Sequence, residues 1–278
     1  MLIIRKYQQL WLVLFLLGLL SACGVDSQQV PIASPTATSQ AIPKTRVTLT
    51  VSAASNLNLV TPEIGKQWEQ KTGNKVTFNF SATTKLAQQI EQGAAVDLFA
   101  AANKKAIEDL DQKGLIISET KKVYAIGAIG LWQRQDSPIA IKDLKDLLNP
   151  EIKRIAIANP ATAPYGVAAR EALQSAGIWG QLQPQLILGE NITQTQQYVE
   201  TGNVDVAIVA LANTINKSGK FTAIDSKLHK PLEQMLAVPK NAPHVAEAKL
   251  FAEFINGEKG RALIKKYGYV LPSEKASR

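Results

Sequence analysis

The sequence predicts an α/β protein of two lobes built on mostly parallel sheets. Apolar strand-like runs alternate with amphipathic helical ones along residues 46–278. That stretch is longer than one small core accommodates. Short hydroxyl-rich or glycine-closed turns stand repeatedly between a strand and the helix after it. Alternation of this kind covers both faces of a sheet with helices and leaves most strands running the same way.

Residues 47–51 and 76–80 read as the first two strands. A third, 96–101, precedes a helix over 104–113 in which Ala106, Ile107 and Leu110 share a face and Gly114 supplies the stop. The same grammar recurs with a strand at 155–158 before a helix at 167–176. It recurs again with a helix at 193–201, stopped by Gly202, before a strand at 204–210. The first helix breaks the pattern. Pro62 would lie inside a helix capped at Ser55, at a cost of about 3 kcal/mol. Thr61 and Pro62 therefore predict a late start as N-cap and first helical residue, leaving Asn56 and Asn58 as donors on an extended turn.

The amino-terminal region predicts an address. Arg5 and Lys6 precede an apolar run over 10–20, too short for a comfortable membrane span and suited to a secretory signal over 1–22. Leu20-Ser21-Ala22-Cys23 resembles a bacterial lipobox, which implies cleavage before Cys23 and lipid on its sulfur. Cys23 is the single cysteine, which excludes a disulfide within the chain. Residues 23–45, rich in Ser, Gln, Pro, Thr and Ala, predict a disordered tether. The expected location is the periplasmic face of a bacterial membrane, exported and lipid-anchored. Removing Arg5 and Lys6 with the signal lowers the net charge of +8 by two. The remaining lysines are dispersed rather than clustered with aromatics, which argues against a nucleic-acid partner.

The turns carry the functional reading. Ser52-Ala53-Ala54-Ser55 and Ser81-Ala82-Thr83-Thr84 each follow a predicted strand. Hydroxyls at the start of a helix join its unpaired N–H groups and positive dipole end to make a site for a small oxyanion. Taken singly, each run is equally an ordinary N-cap. At the carboxyl ends of two strands they stand where open α/β sheets bind ligands. A third turn, Asn159 to Gly166, closes on a glycine that permits close backbone approach, and a fourth, Gly189 to Thr193, again precedes a helix. Asp97 reads as a structural acceptor, Trp68 and Trp179 as core, and His229 and His244 as solvated surface without metal-ligand spacing.

The segment from Val51 to Leu57, then Ser81-Ala82-Thr83-Thr84-Lys85-Leu86-Ala87-Gln88-Gln89-Ile90 through Asp97-Leu98-Phe99, Pro164-Tyr165-Gly166 and the ending Lys266-Tyr267-Gly268-Tyr269, resembles the molybdate-binding proteins of bacterial ABC transporters. The resemblance implies a type II periplasmic binding fold, with lobe 1 over 46–123 plus 236–278 and lobe 2 over 124–235. Crossing strands are expected near 122–125 and 234–238. It also implies a monomer that hands its ligand to a permease, with no cofactor and no enzymatic activity. Carried over by motif, the oxyanion contacts are Ser55 and Thr83 in one lobe and the backbone N–H groups of Tyr165 and Ile192 in the other, with Asn56 and Thr84 as additional donors. The pattern departs at Ala210, where many relatives carry a tyrosine.

Molybdate at neutral pH is a dianion with no proton to donate, so donors alone satisfy it. A protonated phosphate also asks for an acceptor. Tungstate, alike in size and charge, is expected to bind as well, and sulfate is separated only by cavity size. Two competing readings follow: a binder of another oxyanion such as sulfate or phosphate, and a serine-type hydrolase using Ser55, a histidine and Asp97. The hydrolase lacks a Gly-x-Ser-x-Gly elbow.

Overall fold

Two five-stranded sheets form the two lobes, and strands that end at the cleft carry the chain between them. The computed structural model describes residues 46–277, so the predicted signal, Cys23 and the tether lie outside the described residues. In chain order the elements are β1 (Thr48–Ala54), α1 (Val60–Thr72), β2 (Lys75–Ser81), α2 (Thr83–Glu91), β3 (Leu98–Ala101), α3 (Lys104–Gln112), β4 (Lys122–Gly127) and β5 (Ile129–Gln133). They continue with β6 (Ile155–Ala158), α4 (Pro164–Ser175), α5 (Trp179–Leu182), β7 (Leu186–Gly189), α6 (Ile192–Glu200) and β8 (Val206–Ala210). Last come α7 (Leu211–Thr214), β9 (Lys220–Ala223), β10 (Leu232–Ala237), α8 (Val245–Asn256) and α9 (Glu258–Lys266). Each strand and helix predicted after Ser81 and before Leu211 is present with ends shifted by at most three residues.

The sheet orders are β2-β1-β3-β10-β4 and β7-β6-β8-β5-β9. In each, one strand runs against its neighbours, β10 in the first and β5 in the second, while the other four share a direction. The reversal has a topological cause. Strand β4 runs toward the cleft and crosses at Ala128, so β5 must start at the cleft and run away from it. Strand β9 likewise runs toward the cleft, the chain crosses over 224–231, and β10 starts there. The segments expected as crossings fall within β4 and β10, which pair with each other in the first sheet, and the change of sheet comes at their cleft-side ends.

Side-chain alternation shows why both faces of each sheet are covered. Leu98 and Ala100 of β3 join the core with Leu49, Val51, Trp68 and Phe251, whereas Phe99 and Ala101 join that of Leu86, Ile107 and Leu110. In the second sheet Ile155 and Ile157 face a core with Leu131, Leu173 and Ile208, while Ala156 faces Trp132 and Val199. The carboxyl-terminal helices α8 and α9 pack on the first sheet, where Phe251 and Phe254 each lie with ring centroids 5.5 Å from Trp68. Among the described residues no helix is long and apolar enough to cross a membrane.

The first helix begins late, as Pro62 demands, yet its cap differs from expectation. A 3-10 turn occupies Ser55–Leu57, Leu59 is the N-cap of α1, and Pro62 stands in the first helical turn. There its missing N–H has no intrahelical partner to lose. The Thr61 hydroxyl donates to the Leu57 carbonyl at 2.9 Å instead of capping.

Candidate functional site

The carboxyl ends of the parallel strands meet at the cleft, and the turns that follow them line one small pocket. Its walls are Ala54, Ser55 and Asn56 after β1, Ser81, Ala82 and Thr83 after β2, Ala102 after β3, Ala163, Pro164 and Tyr165 at α4, and Ile192 at α6. Ser55, Thr83, Tyr165 and Ile192 are thus brought together from both lobes. None of the walls carries a charged side chain. The cavity measures about 10 Å³, whereas pockets for drug-sized organic ligands reach roughly 300 to 1,000 Å³. A wider cleft of about 470 Å³ beside α3 and α4, lined in part by Lys104, Glu108, Glu171 and Lys230, contains none of these four residues.

Three helices start at the pocket wall: α2 at Thr83, α4 at Pro164 and α6 at Ile192. Each brings the positive end of its dipole to the pocket, although in α2 the Thr84 N–H is spent on the Thr162 carbonyl. The N–H groups of Tyr165 and Ile192 have no hydrogen-bond partner among the described residues. In α6 the cap is Asn191, whose side chain accepts from Gln194 N–H at 3.0 Å, so the Ile192 N–H stays available.

The hydroxyls are equally unspent. Thr83 is the first residue of α2 and not its cap, which is Ala82. Its buried Oγ1 accepts from the Ala102 N–H at 3.2 Å, leaving its own proton to donate. The Ser55 hydroxyl, on a residue only 4% exposed, has no hydrogen-bond partner among the described residues. Its carbonyl is occupied by the Thr193 hydroxyl at 3.0 Å and the Asn213 amide at 3.4 Å. The Thr193 bond crosses the cleft, as do the Thr84 N–H to the Thr162 carbonyl at 3.1 Å and an ion pair between Lys85 and Glu190.

Other expectations need correction. Both side-chain N–H bonds of Asn56 are committed at 2.8 Å, to Gln234 Oε1 and the Tyr269 hydroxyl, so Asn56 offers the pocket only its main chain. Asn58 is an acceptor, from Asn213 Nδ2 at 2.9 Å. Thr84 spends its N–H on Thr162 and does not line the pocket. Gly166 serves packing instead of ligand approach, because a Cβ there would lie 2.0 Å from the Ala158 carbonyl oxygen. Ala210 is buried opposite Ile129 in the second sheet, and its side chain is not among the pocket walls.

Of the two histidines, His229 is not solvated surface, whereas His244 keeps 35% of its side chain exposed. His229 is buried, with Nδ1 2.8 Å from the Lys230 carbonyl. His244 approaches Asp97 Oδ1 through Nδ1 at 3.1 Å. Asp97 is the structural acceptor expected, taking the N–H groups of Thr50 at 2.7 Å and His244 at 2.8 Å. No base contacts the Ser55 hydroxyl, so the nucleophile–base contact of a hydrolase triad is missing among the described residues. Among them, too, no cluster of three His, Cys, Asp or Glu side chains can hold a metal.

Sequence reasoning missed what stands behind Tyr165. Burial first, and the neighbouring phenols Tyr269 and Tyr124 second, hold its hydroxyl well above the ordinary tyrosine range. The same burial raises Tyr124 and Tyr269. These phenols stay neutral, so no negative charge develops beside the pocket.

The family model for bacterial extracellular solute-binding proteins matches residues 49–270. The molybdate-binding protein of Rhodobacter capsulatus is 32% identical over 83% of this chain and 91% of its own. That of Azotobacter vinelandii is 32% identical over 80% of this chain and 89% of its own. The solved structure of the Azotobacter vinelandii periplasmic molybdate-binding protein superposes with a TM-score of 0.77 at 28% identity, covering 81% of this chain and 99% of that one. A sulfate-binding protein of Mycobacterium tuberculosis, at 18% identity and TM-score 0.66 over 84% of this chain and 90% of its own, shares the fold alone.

Proposed function

The chain belongs to the bacterial extracellular solute-binding protein family, and on that premise we propose that it captures molybdate, and tungstate with it, between its lobes for delivery to an ABC permease. One observation carries the reading: hydroxyl-bearing residues and the first residues of helices from both lobes line one small pocket whose walls bear no charge. A buried dianion requires many hydrogen bonds, and those to its charged oxygens are the strong kind. The Ser55 and Thr83 hydroxyls and the Tyr165 and Ile192 N–H groups supply donors from opposite sides. The absence of a carboxylate from the walls disfavours a protonated phosphate, which needs an acceptor.

The protein acts on the periplasmic face of a bacterial membrane as a monomer, held there by lipid on Cys23, and performs no catalysis. The signal-like run over 10–20 and the Leu20-Ser21-Ala22-Cys23 motif support this address. Names of relatives agree with the ligand, since both curated matches given above are molybdate-binding proteins.

Thermal unfolding with molybdate, tungstate, sulfate and phosphate tests the proposal. A ligand at a hundred times its Kd adds about 2.7 kcal/mol to stability, or roughly 5 to 11 °C in Tm for a protein of this size. Molybdate and tungstate are expected to give that shift, and phosphate none. Stabilisation by sulfate or phosphate alone assigns the pocket to another oxyanion. No shift with molybdate or tungstate overturns the reading.

A further inference from the structure

Five buried polar side chains meet behind the pocket, where the two lobes join. Gln234 of β10 is 0% exposed, Asn56 1%, Tyr165 2%, Tyr124 3% and Tyr269 4%. Gln234 Oε1 accepts from Asn56 Nδ2 at 2.8 Å and from the Tyr124 hydroxyl at 3.1 Å, and its Nε2 donates to the Tyr165 hydroxyl at 2.8 Å. The Tyr269 hydroxyl donates to the Asn56 carbonyl at 2.9 Å. Four of these residues belong to the first lobe or its carboxyl-terminal return, because β4 and β10, which carry Tyr124 and Gln234, are strands of the first sheet although the expected boundaries put both residues in lobe 2. Tyr165 alone comes from the second lobe, on α4.

Its hydroxyl reaches them through a gap at Gly127, the last residue of β4 before the chain crosses. A Cβ at Gly127 would lie 2.2 Å from the Tyr165 hydroxyl oxygen and 2.8 Å from Gln234 Nε2. One residue therefore faces two ways: the Tyr165 main chain lines the pocket, and its ring carries the second lobe's polar tip into the first lobe.

Building on the proposed function, we infer that Tyr165 and Gln234 form an inter-lobe latch, admitted by Gly127, which holds the lobes closed over a bound oxyanion. Gln234 is a positioning residue: it touches no pocket wall except through Asn56 and Tyr165. The bond forms only when α4 reaches the first lobe, so it is absent from the open encounter state and acts on ligand escape rather than entry. Opening the lobes orphans the Tyr165 hydroxyl and Gln234 Nε2, which satisfy one another when closed, while the bonds among the four first-lobe residues remain.

The test is stopped-flow and calorimetric measurement on the purified full chain and on Tyr165→Phe, which removes one hydroxyl and keeps the ring and the main chain. Gly127→Ala is the second variant, blocking the gap without altering a pocket wall. The probe is molybdate, with sulfate and phosphate in parallel. Losing one buried hydrogen bond is expected to raise koff about tenfold in each variant, with kon unchanged and one anion bound per chain. A koff within twofold of the parent's in Tyr165→Phe overturns the latch, as does a loss carried by kon or by stoichiometry. If Gly127→Ala does not fold, Tyr165→Phe decides alone. A parent that binds none of the three anions overturns the function on which the latch rests, a different result from a parent that binds with an unaltered variant.

Discussion

Replacing two of the pocket hydroxyls, as Ser55→Ala with Thr83→Ala, is expected to lower molybdate affinity by about two to four orders of magnitude. Each hydrogen bond to a charged oxygen is worth roughly 1.5 to 3 kcal/mol, and about 1.4 kcal/mol is tenfold in Kd. The Ser55 hydroxyl, and that of Thr83 with its donor orientation imposed by the Ala102 N–H, have protons available for the ligand. Neither substitution removes an existing side-chain cap, since α2 is capped at Ala82 and the turn after β1 at Ala54 without side-chain bonds. Thr83→Ala also takes the acceptor from the buried Ala102 N–H, a cost of about 1 to 3 kcal/mol that the Tm of the variant reads. Ile192→Ala is the comparison, because its donor is the main chain, and its affinity should stay near the parent's. Calorimetry reads all three. A double variant that binds like the parent reduces both hydroxyls to bystanders.

Gly166→Ala should act through the backbone. The added Cβ would stand 2.0 Å from the Ala158 carbonyl oxygen and 2.7 Å from its carbon. Both belong to the main chain at the end of β6, where no rotamer change makes room. The expected cost is about 3 kcal/mol, the upper end for overpacking, or roughly 6 to 12 °C in Tm. Because α4 begins at Pro164, the relief moves the Tyr165 N–H away from the pocket, and affinity should fall as well. Thermal unfolding with and without molybdate separates the two effects. An unchanged Tm contradicts the tight seat of α4 on β6.

The alternation of strand and helix made most of the fold legible before any coordinates, because apolar periods of two and of 3.6 residues are local properties. Crossing strands are a different matter. β4 and β10 read as apolar runs like any other, and only the direction in which each meets the cleft fixes where the chain leaves one sheet for the other. Pro62 correctly forced α1 to start late, but whether Thr61 caps or bonds back to Leu57 depends on the turn before it, which composition does not encode.

The pocket itself was legible in its turns. Strand-to-helix position together with the motif resemblance singles out Ser55, Thr83, Tyr165 and Ile192, and all four line one cavity. Asn56 was misjudged because its amide is spent on Gln234, 178 residues away in sequence. The same distance hid the role of the Tyr165 ring. Long-range hydrogen bonds among isolated polar residues leave no periodic trace, and a glutamine within a strand run such as Leu232–Ala237 gives no sign of the tyrosine it will meet. His229 and His244 each lie in a polar stretch, and each finds a partner that only the folded chain supplies.

The most direct test is a crystal structure grown with molybdate and measured at the molybdenum absorption edge. The expected result is one anomalous peak per chain in the pocket, within hydrogen-bond reach of the Ser55 and Thr83 hydroxyls on one side and the Tyr165 and Ile192 N–H groups on the other. A peak seated elsewhere, or an empty pocket at saturating molybdate, would contradict the account.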